Sequence, residues 1–222
     1  MNLALSRNCQ QLPPDDSLFE SIACGLESQG YVVLPAVLPE PLTRGLLDYL
    51  ANLEAGAFHV ARIGRGSRQM RNKFVRRDRI HWISEEHPGG TGWLTWLDQL
   101  MQYLNRRLFL GLFSLESHFS LYQHGDFYRK HLDAFKGRSN RVLSLVTYLN
   151  RGWEPDQGGE LVIYAPESDE ELVRVVPGFG TLVLFLSEDF PHEVLPTRRE
   201  RYGVAAWFRI NASNNDHPEP PE

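Results

Sequence analysis

Two histidines and one aspartate in the C-terminal half of the chain could together bind a divalent metal. His131 and Asp133 are separated by one residue, and His192 follows far downstream. Two imidazoles and one carboxylate leave positions open on the metal, an arrangement typical of non-haem Fe(II) oxygenases. Arg201 lies nine residues after His192, and its planar guanidinium can hold the carboxylate of an acidic co-substrate. The residue types and their spacing therefore predict a metal-dependent reaction.

A second triplet of the same kind, His124-Gly-Asp126, competes with His131 and Asp133. Its central glycine indicates a turn between strands, where two side chains are held less rigidly. His131 and Asp133 instead close a run with strand character, and residues two apart in an extended segment point to the same side. We therefore predict that His131 and Asp133 are the ligands and that His124 is an ordinary loop residue.

The surroundings of Arg201 favour a buried anion. Arg201 begins an apolar stretch, where an inward-pointing charge is costly unless an anion accompanies it. Tyr148 lies in another apolar stretch and could donate its phenol hydroxyl to the same anion. A zinc hydrolase could use the same three metal ligands, but Arg201 and Tyr148 would then have no obvious role.

The composition describes one folded domain. The chain has 222 residues with 42% hydrophobic content, five Trp and twelve Phe, which suits a packed interior. A net charge of -5 disfavours a general nucleic-acid binder. The two cysteines, Cys9 and Cys24, fit neither a zinc pattern nor a disulfide framework. Because the sequence contains neither a secretory signal nor a membrane-spanning apolar segment, we expect a cytoplasmic protein without a membrane partner.

The hydrophobic period changes along the chain. Residues 1–14 are interpreted as a flexible leader, 15–210 as one domain, and 211–222 as a disordered tail. Helical periodicity predicts helical support over 15–110, with helices opening at Asp16 or Ser17, at Pro39 and near residue 91. From 114 to 210 the period is two, and turns rich in glycine and proline separate about eight short strands. The pattern predicts a mostly β fold with flanking helices, whose core is a double-stranded β-helix, or jelly roll.

Residues 60–79 form a basic segment. They hold eight Arg or Lys and one acid, so the segment carries +7 while the rest of the chain sums to about -12 (-5 minus +7). Gly64 and Gly66 indicate a flexible loop that leads into a strand at 80–83. Composition alone leaves two interpretations open, a solvated charged loop and a lid that closes over a substrate.

Several short stretches occur in a characteristic order. They are VRRDRIHWI (75–83), YRKHLD (128–133), YLNRGW (148–153), GGEL (158–161), PHEV (191–194) and RYGVAAW (201–207). Together they resemble the 2-oxoglutarate- and Fe(II)-dependent dioxygenases, specifically the prolyl 4-hydroxylases of the hypoxia-inducible-factor type (Egl-nine or SM-20-like). The resemblance covers roughly residues 30 to 210.

The resemblance implies a peptidyl-prolyl 4-hydroxylase that uses Fe(II), 2-oxoglutarate and O2, with ascorbate as an auxiliary cofactor, and that releases succinate and CO2. It implies that His131, Asp133 and His192 bind iron, and that Arg201 and Tyr148 hold the distal carboxylate of 2-oxoglutarate, with Arg201 counted as catalytic. The other residues implied to contact the co-substrate are Tyr122, Leu161 and Trp207. The residues implied to face a polypeptide substrate are Arg141, Tyr128, Arg76 and Asp78.

Two departures from the family's vertebrate members indicate a bacterial-type member. Ala205 stands where those members have a threonine near the iron, and the sequence has no N-terminal zinc finger. Bacterial proteins of this branch are associated with hydroxylation of a proline in elongation factor Tu, which is therefore the first candidate for the protein partner. Asp133 is retained, which favours hydroxylation over halogenation.

Two alternatives to a prolyl hydroxylase stay open on the sequence. An oxygenase acting on nucleic acid or a small molecule would use the same metal site, and the nucleic-acid enzyme predicts tight, salt-sensitive binding of oligonucleotides. A non-catalytic jelly-roll binding module is the second alternative, because a fold alone does not guarantee chemistry. Iron content and affinity for 2-oxoglutarate distinguish the module from an enzyme.

Overall fold

The computed structural model of the protein describes residues 14–61, 74–134 and 140–211. The N-terminal part contains, in chain order, α1 (Pro14–Gln29), β1 (Tyr31–Leu34), α2 (Glu40–Ala51), β2 (His59–Val60), β3 (Arg79–Trp82) and α3 (Pro88–Leu108). The C-terminal part contains β4 (Leu112–Tyr122), β5 (Tyr128–His131), β6 (Arg141–Tyr148), β7 (Leu161–Tyr164), β8 (Glu171–Val175), β9 (Leu182–Leu186), β10 (His192–Val194) and β11 (Arg201–Ile210). The predicted leader and tail lie outside the described residues except at Pro14 and Asn211, as does most of the basic segment.

The strands form two antiparallel sheets. The larger sheet has the order β1-β9-β6-β11-β4-β3-β2, and the smaller sheet has the order β5-β10-β7-β8. Strands β4 to β11 are the eight strands of a jelly roll, so the predicted fold class is confirmed. Strands β1, β2 and β3 extend the larger sheet at its two edges, an arrangement that the sequence did not indicate.

Helix starts differ from the prediction at two of the three helices. α1 begins at Pro14, so the predicted cap at Asp16 or Ser17 is wrong, because proline at the first helical position already provides a suitable start. α2 begins directly after Pro39, as predicted. α3 begins at Pro88, where the His87 ring accepts a hydrogen bond from the Gly89 amide at 3.0 Å. Apolar spacing alone could not reveal that cap, because Gly89 and its neighbours carry no hydrophobic signal.

The register of the larger sheet assigns alternate residues to two layers. Phe119 pairs with Val204 across β4 and β11, and both residues belong to the hydrophobic core that includes the three helices. Val146 pairs with Val183 across β6 and β9, and both pack in a second apolar cluster between the two sheets. Because side chains alternate along a strand, the polar residues that share the second face point into the space between the sheets.

Helices α2 and α3 approach each other at two glycines. A Cβ atom added at Gly89 would lie 2.0 Å from the Gly45 carbonyl oxygen, whereas a Cβ at Gly92, in the same helix, would meet nothing within 4 Å. We expect Gly89→Ala to destabilise the protein by about 1–3 kcal/mol because the helices must separate. Gly92→Ala should instead stabilise it by roughly 0.5–1 kcal/mol, the usual gain of alanine over glycine in a helix. Urea unfolding measures both changes, and equal effects would contradict the close approach.

Among the described residues, no helix combines the length and the apolar character needed to span a bilayer.

Candidate metal and co-substrate site

His131, Asp133 and His192 converge between the two sheets. Strands β5 and β10 are paired so that His192 lies opposite His131. Nε2 of His131 is 3.5 Å from Oδ1 of Asp133, and Nε2 of His192 is 3.6 Å from Oδ2 of Asp133. One potential ligand atom from each residue lies within 4.8 Å of the others, and in the part of the chain that the structure describes no second such cluster of His, Cys, Asp or Glu occurs. The three residues could therefore hold one metal ion.

Both imidazoles are oriented by backbone carbonyl groups. Nδ1 of His131 lies 2.7 Å from the Arg129 carbonyl oxygen, and Nδ1 of His192 lies 3.1 Å from that of Phe190. A carbonyl oxygen only accepts, so each Nδ1 carries the hydrogen and each Nε2 keeps a lone pair. This tautomer is the one in which a histidine binds metal through Nε2.

The protonation states also suit a metal site. Burial and the neighbouring His131 lower the pKa of His192 to about 4, so His192 is neutral at pH 7. Burial alone would raise the pKa of Asp133, but the two imidazoles and the Ser144 hydroxyl hold it well below its usual value. Neutral imidazoles and an ionised carboxylate are the forms that bind metals.

A buried cation and a buried phenol lie in the same inter-sheet space. Arg201 is 1% exposed and Tyr148 is fully buried, and the Arg201 Cζ atom lies 4.9 Å from the ring centroids of both Tyr148 and Tyr122. Arg201 donates from Nε to the Gly159 carbonyl oxygen at 2.8 Å. Among the described residues, Nη2 of Arg201 and the Tyr148 hydroxyl have no hydrogen-bond partner. A third such atom, Nε1 of Trp96, belongs to the helical core.

The unpaired atoms of Arg201 and Tyr148 indicate an anionic ligand. A charged group without a partner is expensive to bury, and a carboxylate would accept from both the guanidinium and the phenol. Burial raises the pKa of Tyr148 to about 12, although the charge of Arg201 and the closeness of its guanidinium to the phenol oppose the shift. The phenol is therefore protonated at neutral pH and can donate. Leu161, which is also buried, packs in the same apolar cluster as Tyr148 and Tyr122.

Gly159 is a residue of this site to which the sequence interpretation assigned no role. Its φ is +72°, and a Cβ added there would lie 3.0 Å from Cδ of Arg201. Glycine adopts this backbone conformation without a steric penalty, and it allows the carbonyl to approach the guanidinium. The paired glycines of the GGEL stretch were the available signal.

Trp207 and Ser144 both contact the Asp133 carboxylate. Trp207 donates from Nε1 to Oδ2 at 2.9 Å, and Ser144 donates from Oγ to the same oxygen at 2.6 Å. Trp207 was expected beside the co-substrate, whereas Ser144 was not predicted at all. Ser144 precedes Tyr148 by four residues on β6, so the alternation that places Tyr148 in the site could have identified it.

The residues expected to face a substrate differ in exposure. Arg76 donates two hydrogen bonds to Asp78, at 2.7 and 2.6 Å, and its Cζ lies 4.4 Å from the Tyr128 ring centroid. Tyr128 in turn stacks on the His131 imidazole, with centroids 3.5 Å apart. Asp78 is only 1% exposed, so it offers little surface for direct contact with a substrate. Its carboxylate is used to fix Arg76.

The competing triplet lies away from this cluster. His124 is exposed in a turn, and the Asp126 carboxylate accepts a hydrogen bond from the Gln123 amide at 2.9 Å within that turn. The interpretation of His124 as a loop residue is confirmed.

Comparison with known proteins places the chain in a family. Residues 117–209 match the model of the 2OG-Fe(II) oxygenase superfamily. The crystal structure of a prolyl-4-hydroxylase from Pseudomonas putida is 36% identical, and the match covers 86% of this chain and 98% of that one with a TM-score of 0.76. A Trichoplax adhaerens prolyl hydroxylase, solved with a peptide fragment of the hypoxia-inducible-factor oxygen degradation domain, is 26% identical over 94% of this chain and 99% of that one, with a TM-score of 0.79.

Human relatives match over different shares of their length. Human prolyl hydroxylase EGLN3 is 26% identical over 199 residues, which is 85% of this chain and 82% of that protein. Human Egl nine homolog 1 is 29% identical over 146 residues, and the match covers 62% of this chain but only 34% of that protein.

The chain therefore belongs to the 2-oxoglutarate- and Fe(II)-dependent oxygenase superfamily. Within that superfamily it is homologous to the Egl nine prolyl hydroxylases, and its structural neighbours include a bacterial prolyl 4-hydroxylase. The family indicated by the ordered sequence stretches is confirmed.

Proposed function

We propose that this protein is a peptidyl-prolyl 4-hydroxylase that uses Fe(II), O2 and 2-oxoglutarate and releases succinate and CO2. The observation that carries the proposal is the pair of unpartnered polar atoms on buried Arg201 and Tyr148, which share the inter-sheet space with the His131, Asp133 and His192 cluster. A buried cation is costly without an anion, which supports a carboxylate ligand beside the metal cluster, as this reaction requires.

His131, Asp133 and His192 would be the protein ligands of the iron. Their donor atoms fit Fe(II), since two neutral imidazole nitrogens and one carboxylate oxygen are the set that leaves positions open for other ligands. The bound iron would supply the oxygen activation that no side chain can provide. The protein's own contribution is to fix the tautomers of both histidines through the carbonyl groups of Arg129 and Phe190.

Arg201 and Tyr148 would hold the distal carboxylate of 2-oxoglutarate. The guanidinium has Nη2 available while Nε is fixed by Gly159, so the group is already oriented before the ligand arrives. Tyr122 and Leu161 would form apolar walls along the co-substrate. Arg201 and Tyr148 are almost fully buried, so little water would surround the guanidinium and the bound carboxylate. The attraction between these two charges is stronger where water is excluded.

A polypeptide substrate would bind at the rim formed by Arg76, Tyr128, Arg141 and Trp82. Trp82 is 51% exposed, which is a large apolar surface to leave in water and suits contact with a peptide. The Trichoplax relative was crystallised with a peptide fragment, which supports a peptide substrate here too. Elongation factor Tu is the first substrate to try, and a cytoplasmic location would be consistent with it.

Product analysis tests the proposal. The protein is incubated with elongation factor Tu, or with a proline-containing peptide from it, in the presence of Fe(II), 2-oxoglutarate, ascorbate and air. We expect one added oxygen on a single proline, with succinate formed in equal amount, and neither product when that proline is replaced by alanine. Oligonucleotides should not stimulate succinate formation. The proposal would be contradicted if the oxygen were found on a residue other than proline, or if succinate formation were unchanged when the proline is replaced by alanine.

A further inference from the structure

Both lone pairs of one Asp133 oxygen are already used within the protein. The Trp207 indole and the Ser144 hydroxyl donate to Oδ2 at 2.9 and 2.6 Å. An ionised carboxylate oxygen accepts about two hydrogen bonds. The two oxygens lie at similar distances from the imidazoles, Oδ1 at 3.5 Å from Nε2 of His131 and Oδ2 at 3.6 Å from Nε2 of His192. Because Oδ1 receives neither donor, Oδ1 is the oxygen whose lone pairs remain available to a metal.

The Trp207 ring is itself held on two sides. The Arg141 guanidinium carbon lies 3.8 Å from the ring centroid, and Arg141 is paired with Glu116 through an N–O contact of 2.5 Å. The His118 ring packs against Trp207 with centroids 5.2 Å apart. A guanidinium stacked on an indole is a favourable contact, so Arg141 fixes the plane in which the indole N–H points.

The position of Trp207 along β11 separates it from the carboxylate anchor. Trp207 follows Arg201 by six residues on the same strand, which corresponds to about 20 Å between their Cα atoms at roughly 3.3 Å per residue. The indole therefore lies at the metal end of the site, and its single N–H group donates to the Asp133 carboxylate there.

We propose that Trp207 is a positioning residue for the metal site: its indole N–H, together with the Ser144 hydroxyl, occupies Oδ2 of Asp133 and so directs Oδ1 alone to the metal. The inference rests on the proposed function only in requiring that His131, Asp133 and His192 bind a metal. Donors behind a metal ligand orient that ligand and raise its affinity for the metal.

Trp207→Phe is the decisive variant, because phenylalanine keeps an aromatic ring beneath Arg141 and removes only the donor and the second ring. The matched control is Trp93→Phe. Trp93 is a buried tryptophan that also loses one hydrogen bond, from Nε1 to Ser117 Oγ at 2.9 Å, but it lies in the helical core. Ser144→Ala removes the other donor to Oδ2 without changing an aromatic residue, and it keeps the test valid if Trp207→Phe does not fold.

Anaerobic titration with Co(II) provides two readouts independent of turnover. We expect Trp207→Phe and Ser144→Ala each to weaken Co(II) affinity by about 10- to 100-fold, and Trp93→Phe to stay within about twofold of the wild type. The visible Co(II) spectrum should change in Trp207→Phe, because Oδ2 becomes free to bind, and should not change in Trp93→Phe. If the wild type binds Co(II), and Trp207→Phe and Ser144→Ala both bind it with the wild-type affinity and spectrum, this inference is overturned and the proposed function is not. A wild-type protein that binds no Co(II) overturns the proposed function, and this inference with it.

Discussion

We expect Arg201→Gln to bind 2-oxoglutarate at least about 30-fold more weakly than the wild-type protein, because truncating one partner of a buried, hydrogen-bonded charge pair costs roughly 2–5 kcal/mol. Glutamine can still donate one hydrogen bond, but it carries no charge to balance a carboxylate. Arg201→Lys should give an intermediate affinity, since lysine keeps the charge and loses the planar fork. Isothermal titration with Mn(II) present and oxygen excluded measures all three affinities.

The stability of the Arg201→Gln variant distinguishes ligand binding from a structural role. Without its anion the buried guanidinium is costly, so the variant should unfold at the same temperature as the ligand-free wild type or at a higher one. Addition of 2-oxoglutarate should raise the unfolding temperature of the wild type only. Arg199→Gln is the control, because Arg199 lies two residues away and contacts Gly152 and Gln157 at the surface. A large loss of stability in Arg201→Gln with unchanged affinity would show that the arginine is structural.

His192→Ala has the second large expected effect. Loss of one of three metal ligands should reduce succinate formation by at least about 10³-fold, since metal catalysis contributes several kcal/mol and each 1.4 kcal/mol is a factor of ten. The iron content of the purified variant should fall together with the rate. His124→Ala is the matched control, because His124 belongs to the competing triplet and is exposed in a turn. Equal losses in the two variants would remove the reason for choosing His131-Leu-Asp133.

The sequence predicted well those elements whose hydrophobic period is visible locally. The period of two over 114–210 indicated about eight short strands, and β4 to β11 are eight strands within that range. Sheet order was not predictable in the same way, because β1 pairs with β9, which lies about 150 residues later. Pairing of that kind depends on tertiary packing, which a local period does not record.

The candidate site shows the same division. His131, Asp133, His192 and Arg201 were identifiable because their residue types suit a metal and a carboxylate, and because strand character favoured His131 and Asp133 over His124 and Asp126. Ser144, in contrast, is a common residue whose role appears only when β6 is placed beside Asp133. The burial of Asp78 was not visible in the sequence for the complementary reason. From the sequence, a carboxylate within a basic segment is expected to be exposed to solvent. In the fold the Asp78 carboxylate is buried and accepts two hydrogen bonds from Arg76.

The fold explains how a site of this kind is assembled from distant residues. The smaller sheet supplies both histidines through the pairing of β5 and β10. The larger sheet supplies Arg201 from β11 and Tyr148 from β6, two strands that are paired with each other. A metal site on one sheet and an anion site on the other therefore face the same space, which matches a co-substrate with a chelating end and a carboxylate end.

An anaerobic crystal structure with Mn(II) and 2-oxoglutarate tests the central claim most directly. We predict one Mn(II) ion bound by Nε2 of His131, Nε2 of His192 and Oδ1 of Asp133, with the far carboxylate of 2-oxoglutarate on Arg201 and Tyr148. A metal bound elsewhere, or a 2-oxoglutarate molecule that makes no contact with Arg201, would contradict it.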